Sequence, residues 1–263
     1  MEQHLLLTCD LDGTIIFERD IAAADIAAIQ QWRAAGHIAV CNTGKSLKAT
    51  QHALQGKGLE FDYYILYTGA VLTDHNFTVL REHHLDERVV QNILELLQDR
   101  SGIGVYATTL DGPDQQIFYT IPPELGTDIL QTSVPSSPET LRSHRVIGIP
   151  IWVPDTMQCP QLLTELQETF GAVADVHQNQ DFIDIVPCGA NKGIGLKELE
   201  DYLADQGIST VTYSLGDSFN DLDMHAQADY SSAFDHSPLA VKEAADTVSG
   251  TAAEYILKIL DEL

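Results

Sequence analysis

Short apolar segments alternate with helical patterns at the start of this 263-residue chain, and that alternation constrains the fold more than any other feature. Residues 4–9, 37–41 and 63–67 have the composition of buried strands, whereas residues 20–35 and 46–55 place apolar side chains at helical spacing. Apolar strands separated by helices are typical of a parallel sheet that helices cover on both faces. We therefore predict an α/β fold with a doubly wound, mainly parallel sheet of the Rossmann type.

The pattern changes after about residue 80 and returns near residue 188. Between them, residues 103–108 and 116–121 look like paired strands, and residues 85–100 and 157–170 look like amphipathic helices. After residue 188 the strand–helix alternation resumes. We predict a core formed by residues 1–80 and 188–263, with an α+β domain inserted at residues 81–187.

The charge balance limits the classes of partner. Lys and Arg total 14 against 39 Asp and Glu, which gives a formal net charge of −25. Nucleic acids and anionic membranes bind clusters of Lys and Arg, so neither is an expected partner. On so acidic a protein, a site for an anion requires a local cation such as a bound metal ion.

The cellular setting is also indicated by the sequence. The four cysteines show no Cys-x-x-Cys spacing, which favours reduced thiols, and no apolar stretch approaches the length of a membrane span. The first residues do not resemble a signal peptide. We expect a cytoplasmic protein that is a monomer or a weak homodimer.

Polar residues that could take part in catalysis or ligand binding follow the predicted core strands. They are Asp10 and Asp12 after the first strand, Asn42, Thr43, Gly44 and Lys45 after the second, Lys192 after the strand at 181–186, and Asp217, Ser218, Asn220 and Asp221 after the strand at 210–215. Ligands of open α/β sheets bind at the carboxyl ends of the strands. The sequence therefore predicts that these residues gather at one edge of the sheet.

The aspartates in this group favour a metal ion. In an extended segment Asp10 and Asp12 point to the same side, and Asp217 and Asp221 lie four residues apart at a predicted helix entrance. A single aspartate at such a position usually caps a turn or helix. Several carboxylates at one sheet edge repel each other, however, and Mg²⁺ suits a few carboxylates together with waters and a phosphate.

Four short motifs resemble those of a known family. DLDGT, CNTGK, PCGANKG and GDSFND have the order and approximate spacing of the haloacid-dehalogenase-like (HAD) superfamily phosphatases. The insert resembles the large α/β cap of the Cof-type subgroup, which includes sucrose-phosphate phosphatases. The chain departs from the Cof pattern at Thr68–Ala70, where Asn-Gly-Ala is common, and at Lys45, where Arg is frequent.

The resemblance implies roles for the acidic residues. Asp10 would be the nucleophile that forms an aspartyl-phosphate, and Asp12 would protonate the leaving oxygen and then activate water. Mg²⁺ would be held by Asp10, by the main-chain carbonyl of Asp12 and by Asp217. Asp221 would bind the ion directly or through an intermediate group.

The remaining motif residues are implied to contact the substrate. Thr43, the Gly44 amide and Asn220 would bind phosphoryl oxygens, Lys45 would also bind substrate, and Lys192 would neutralise charge on the transferred group.

The sequence thus predicts a Mg²⁺-dependent phosphatase whose partner is a small phosphorylated metabolite, with a sugar phosphate favoured and the insert choosing the substrate. A sugar phosphomutase on the same fold is an alternative, although the few arginines of the insert disfavour binding of a second phosphate. A non-catalytic binding protein is a further alternative, and the intact acidic motifs argue against it.

Overall fold

The computed structural model describes residues 3–122, 124–125, 133–179 and 181–263. Its strands are β1 (Gln3–Cys9), β2 (Ile16–Phe17), β3 (Asp20–Ile21), β4 (Ile38–Asn42), β5 (Tyr63–Leu66), β6 (Val71–Asp74), β7 (Val79–Glu82), β8 (Gly104–Thr109), β9 (Gln115–Tyr119), β10 (Val134–Pro135), β11 (Val146–Trp152), β12 (Ala174–Asn179), β13 (Phe182–Pro187), β14 (Ser209–Leu215), β15 (Tyr230–Phe234) and β16 (Thr247–Ser249). Its α-helices are α1 (Ala23–Ala34), α2 (Leu47–Leu54), α3 (Glu87–Leu97), α4 (Pro138–Leu141), α5 (Gln158–Phe170), α6 (Lys192–Asp205), α7 (Leu222–Gln227), α8 (Leu239–Ala244) and α9 (Ala252–Asp261). A short 3₁₀ turn, Phe219–Asp221, precedes α7.

The chain divides into two compact units. Unit 1 comprises Met1–Glu82 and Asn191–Leu263, and unit 2 comprises His83–Ala190. The described strands of unit 1 form an eight-stranded sheet in the order β16-β15-β14-β1-β4-β5-β6-β7, apart from the small β2–β3 hairpin. Neighbours from β16 to β5 are parallel, whereas β6 and β7 are antiparallel additions at one edge. The predicted α/β class with a mainly parallel sheet is confirmed.

The central strands of unit 1 end at the same level. Cys9 of β1 lies opposite Cys41 of β4 and opposite Leu215 of β14. All three side chains are fully buried, as expected for strands covered on both faces. This register brings the segments that follow β1, β4 and β14 to one edge of the sheet.

Helices cover both faces of the unit 1 sheet. On one face, Leu196, Leu199 and Leu203 of α6 pack with residues of β1, β4 and β5. On the other face, Tyr213 of β14 contacts Trp32 of α1 and Tyr255 of α9. The sheet is therefore doubly wound, as the sequence predicted.

Two local features differ from the sequence-based expectation. The helix expected from residue 20 begins at Ala23, because Asp20–Ile21 instead pair with Ile16–Phe17 in a hairpin. The β6–β7 hairpin over residues 71–82 was not predicted at all. Both hairpins use short strands, whose apolar pattern is too brief to be recognised.

Unit 2 has its own sheet and core. Its described strands form a six-stranded sheet in the order β10-β9-β8-β11-β13-β12. Alternate residues of β8, β11, β12 and β13 pack against α3 and α5 in one hydrophobic cluster. A second cluster contains Tyr106, Trp152 and Phe182, and the Trp152 indole donates to Asp181 over 2.7 Å. Residue 180, in the turn expected between β12 and β13, lies outside the described residues.

Among the described residues, no helix is both long enough and apolar enough to cross a membrane.

Candidate active site

A buried lysine joins two aspartates at the carboxyl edge of the unit 1 sheet. Lys192, the first residue of α6, is completely buried, and its Nζ lies 2.8 Å from Asp10 Oδ1 and 2.6 Å from Asp221 Oδ1. Asn191 caps the same helix by accepting a hydrogen bond from the Ile194 amide. Because β1 and β14 end and α6 begins at this point, the three charged groups come from distant parts of the sequence.

Asp221 holds the loop after β14 in place. Its Oδ1 accepts from Lys192, and its Oδ2 accepts from the amides of Asp217 and Ser218 at 3.0 and 2.9 Å and from the Ser218 hydroxyl at 3.2 Å. A Cβ on Gly216 would lie only 2.4 Å from Asp221 Cγ, so no larger residue fits there without a shift. With both oxygens occupied, Asp221 acts as an anchor for this loop and for Lys192.

Three carboxylates lie close enough to share a cation. One oxygen from each of Asp10, Asp217 and Asp221 lies within 4.8 Å of the others. Thr14 donates to Asp217 Oδ1 over 3.1 Å, which orients that carboxylate toward the DLDGT turn. Hard oxygen donors of this kind fit Mg²⁺. Since the oxygens of Asp221 already accept hydrogen bonds, Asp10 and Asp217 are better placed to bind the ion directly.

The electrostatics of the cluster also favour a cation. Burial and the neighbouring Asp221 charge raise the pKa of Asp10 to about 7, although Lys192 acts in the opposite direction. Burial and Asp221 likewise raise the pKa of Asp217. Burial by itself would lower the pKa of Lys192, but the charges of Asp10 and Asp221 outweigh it and raise that pKa. A single ammonium therefore does not balance the carboxylates here.

Asp12 lies apart from the buried cluster. Its side chain is 59% exposed, and its Oδ2 lies 2.6 Å from the Lys45 ammonium. A carboxyl group with access to solvent can exchange protons, which the role predicted for Asp12 requires. The ion pair with Lys45 connects the loop after β1 with the loop after β4.

The other predicted substrate-binding residues lie on two of these loops. Thr43 is buried, and its amide donates to the Ile65 carbonyl, while Gly44 beside it is exposed. Asn220 is exposed in the loop after β14, where its Oδ1 accepts from the Ser218 hydroxyl at 2.7 Å. Their contacts with a substrate stay predictions.

Two further residues contact the site and were not assigned a role from the sequence. Asn42 is fully buried and donates from Nδ2 to the Lys192 carbonyl over 2.9 Å. His236 donates from Nε2 to the Gly13 carbonyl over 2.8 Å, and the same nitrogen lies 3.9 Å from Asp217 Oδ2. Asn42 follows a core strand, so its place was recognisable, whereas His236 stands in no motif that would distinguish it.

Solved structures share this fold. A haloacid dehalogenase-like hydrolase from Bacteroides thetaiotaomicron superposes with a TM-score of 0.80 at 20% identity, covering 97% of this chain and 99% of that one. A structure described as a HAD subclass IIB sugar phosphatase gives 0.77 at 21% identity, covering 98% of each chain. At these identities the likeness establishes the architecture alone.

Sequence comparison gives the family. A curated Haemophilus influenzae protein, provisionally named as a phosphatase, is 31% identical over 97 residues, which span 37% of this chain and 36% of that protein. The family model for haloacid dehalogenase-like hydrolases matches residues 7–256, nearly the whole chain. The chain therefore belongs to the haloacid dehalogenase-like hydrolase family.

Proposed function

We propose that the protein hydrolyses phosphate monoesters of small metabolites through an aspartyl-phosphate intermediate on Asp10. The observation that carries this proposal is the buried Lys192 ammonium between Asp10 and Asp221, beside Asp217 at the carboxyl edge of the sheet. A carboxylate nucleophile and a fixed cation at one point are the groups that phosphoryl transfer needs.

In the proposed first step, an Asp10 carboxylate oxygen bonds to phosphorus while the bond from phosphorus to the leaving oxygen breaks. Asp12 gives that oxygen a proton and remains as a carboxylate, exposed beside the Lys45 ammonium. In the second step Asp12 accepts a proton from water as the water attacks phosphorus, which releases phosphate and frees Asp10. Lys192 offsets the negative charge of the phosphoryl group in both steps.

We propose Mg²⁺ as the cofactor. Asp10 and Asp217 would bind the ion, while Asp221 would hold Lys192 and the loop that carries Asp217 in place. When bound, the ion stabilises the ionised form of Asp10 and the charge of the phosphoryl oxygens. The raised pKa of Asp10 supports this assignment, because a nucleophilic carboxylate must be ionised at neutral pH. Asp12 would contribute its main-chain carbonyl.

The test of this function is release of inorganic phosphate from a panel of phosphate monoesters that includes sugar phosphates. Hydrolysis that is fastest with sugar phosphates would support the proposed substrate class. Isomerisation without phosphate release would instead identify a phosphomutase. Binding without any turnover would identify a non-catalytic protein.

Removal of divalent metal should abolish hydrolysis. We expect a chelator to reduce phosphate release to background and Mg²⁺ to restore it, because the cluster otherwise has too much negative charge to accept a phosphate. Ca²⁺ should inhibit, since it prefers longer bonds and more ligands. Mg²⁺ binding measured by calorimetry should be lost in Asp217→Asn. Full activity of metal-free protein would contradict the role given to Asp217.

We also propose that unit 2 selects the substrate. The roles proposed for the site residues of unit 1 concern the phosphoryl group and the leaving oxygen, and such chemistry is common to many phosphate esters. Unit 2 has its own core, so it is a separate structural element.

Deletion of His83–Ala190 should therefore reduce discrimination between sugar phosphates more than it reduces hydrolysis of a small activated ester such as p-nitrophenyl phosphate. The comparison uses kcat/KM for each substrate, with circular dichroism to verify that unit 1 remains folded. An unchanged order of substrate preference in the folded deletion variant would contradict the proposal.

A further inference from the structure

The loop after β5 has an unusual backbone. Tyr67, Thr68 and Gly69 have φ angles of +51°, +55° and +95°, so three consecutive residues are in the left-handed region. Position 69 requires glycine, because a Cβ on Gly69 would lie 2.0 Å from the Asn191 carbonyl oxygen. Thr68 is strained, since a β-branched residue in the left-handed region is a conformational outlier.

Hydrogen bonds hold this strained loop against the segment after β4. The Tyr67 amide donates to the Lys45 carbonyl at 3.0 Å, and the Thr68 amide donates to the Thr43 carbonyl at 3.2 Å. These two acceptors flank Gly44. As a result, Thr68 lies beside Gly44, and a Cβ built on that glycine would lie 3.3 Å from Thr68 Oγ1.

The hydroxyl of Thr68 is available to a ligand. The side chain is partly exposed, and its oxygen makes no hydrogen bond within the part of the chain that the structure describes. A strained residue that gains no internal hydrogen bond from its side chain is a candidate for a functional contact. Gly44 lies beside this hydroxyl and is exposed, and its amide is where we place the phosphoryl oxygens.

We infer that Thr68 is a further substrate-binding residue, whose hydroxyl donates a hydrogen bond to the phosphoryl group held at Gly44. The inference rests on the proposed phosphatase function. It explains why the loop keeps a threonine where glycine or asparagine would be less strained. The contact would be made in the ground state and in the transition state alike, so it should affect KM and phosphate binding with little effect on kcat.

Three variants at this position separate the hydroxyl from the backbone strain. Thr68→Val keeps the branched shape and removes the hydroxyl, Thr68→Ser keeps the hydroxyl, and Thr68→Gly removes both the hydroxyl and the strain. Binding of inorganic phosphate to the full-length protein with Mg²⁺ is measured by calorimetry, and KM and kcat are measured with the best ester of the panel. Thermal unfolding of each variant gives its stability.

We expect Thr68→Val to weaken phosphate binding and to raise KM by about 10- to 100-fold, the usual effect of one hydrogen bond to a charged group. Thr68→Ser should stay within about threefold of wild type by the same reasoning. Thr68→Gly should bind phosphate as weakly as Thr68→Val while unfolding at the same temperature as wild type or higher. That combination would show that the threonine serves binding and not stability.

Phosphate affinity and KM unchanged in Thr68→Val, with ester hydrolysis intact in wild type, would overturn this inference and leave the phosphatase function standing. If wild-type protein neither hydrolyses the esters nor binds phosphate, the proposed function fails, and the role of Thr68 fails with it.

Discussion

Replacement of Asp10 by asparagine should lower kcat for ester hydrolysis by at least about 10³-fold, which corresponds to about 4 kcal/mol of activation free energy. An amide is a poor nucleophile, so the covalent step is lost although the side chain keeps its size. The fold should persist, because Lys192 keeps its 2.6 Å contact with Asp221. Steady-state phosphate release at saturating substrate, compared with wild type, measures the effect.

The same variant should change the pH dependence of stability in metal-free protein. The folded protein holds a proton on Asp10 up to a pKa of about 7, whereas the unfolded chain releases it near the ordinary aspartate pKa of 3.8. Because the folded state binds more protons between these values, this residue makes stability fall as pH rises through that window. Asp10→Asn should lack that part of the decline.

Near-normal turnover of a folded Asp10→Asn protein would remove Asp10 from the mechanism.

Among the substitutions described, replacement of Lys192 by methionine should lower the free energy of unfolding most. The substitution leaves Asp10 and Asp221 buried without their cation, and breaking a buried ion pair in this way typically costs about 3–5 kcal/mol. Activity should also be lost, since no other ammonium contacts Asp10 among the described residues. Denaturant-induced unfolding with linear extrapolation gives the free energy of unfolding.

The chain provides a matched control for this experiment. Lys197, five residues further along α6, forms an exposed pair with Asp201 at 3.0 Å, and Lys197→Met should cost less than about 1 kcal/mol. Adding Asp221→Asn to Lys192→Met should recover part of the lost stability by removing one unpaired buried charge. If Lys192→Met and Lys197→Met have equal effects, the buried cluster does not contribute the electrostatic coupling described above.

The sheet of unit 1 was predictable because its central strands are buried on both faces. Such strands are continuous apolar runs, as residues 5–7 and 38–41 illustrate, and their ends are marked by an abrupt change to polar residues. The polar residues directly after these runs could therefore be assigned to one sheet edge from the sequence alone. The structure brings Asp10, Lys192 and Asp217 together there.

There is a physical reason why the β2–β3 and β6–β7 hairpins could not be predicted from the sequence. Their turns contain left-handed residues without glycine: Glu18 and Arg19 between β2 and β3, and Phe77 between β6 and β7. Asn-Gly or Asp-Gly is the usual signal for such a turn, and neither is present. The left-handed conformation is imposed by pairing of the flanking strands, which no local pattern records.

The spacing of residues along the sequence also cannot indicate the hydrogen bonds of the site. A sequence pattern places Asp221 near Asp217, but it does not show that both oxygens of Asp221 are occupied by hydrogen bonds. That distinction separates an anchor from a metal ligand. The contact of His236 with the Gly13 carbonyl arises from the path of the chain after β15, for which the sequence offers no motif.

The pairing of β1 with β14 has a consequence for how the protein is made. Gln3 pairs with Ser209 and Cys9 pairs with Leu215, so β1 leaves the ribosome well before the strand with which it pairs. At about 5–20 residues per second, translation separates the two strands by about 10–40 s. Unit 2 is one continuous stretch, so all of its strands emerge during that interval. Until β14 arrives, β1 has an open apolar edge, which makes nascent or C-terminally truncated chains clients for chaperones and prone to aggregation.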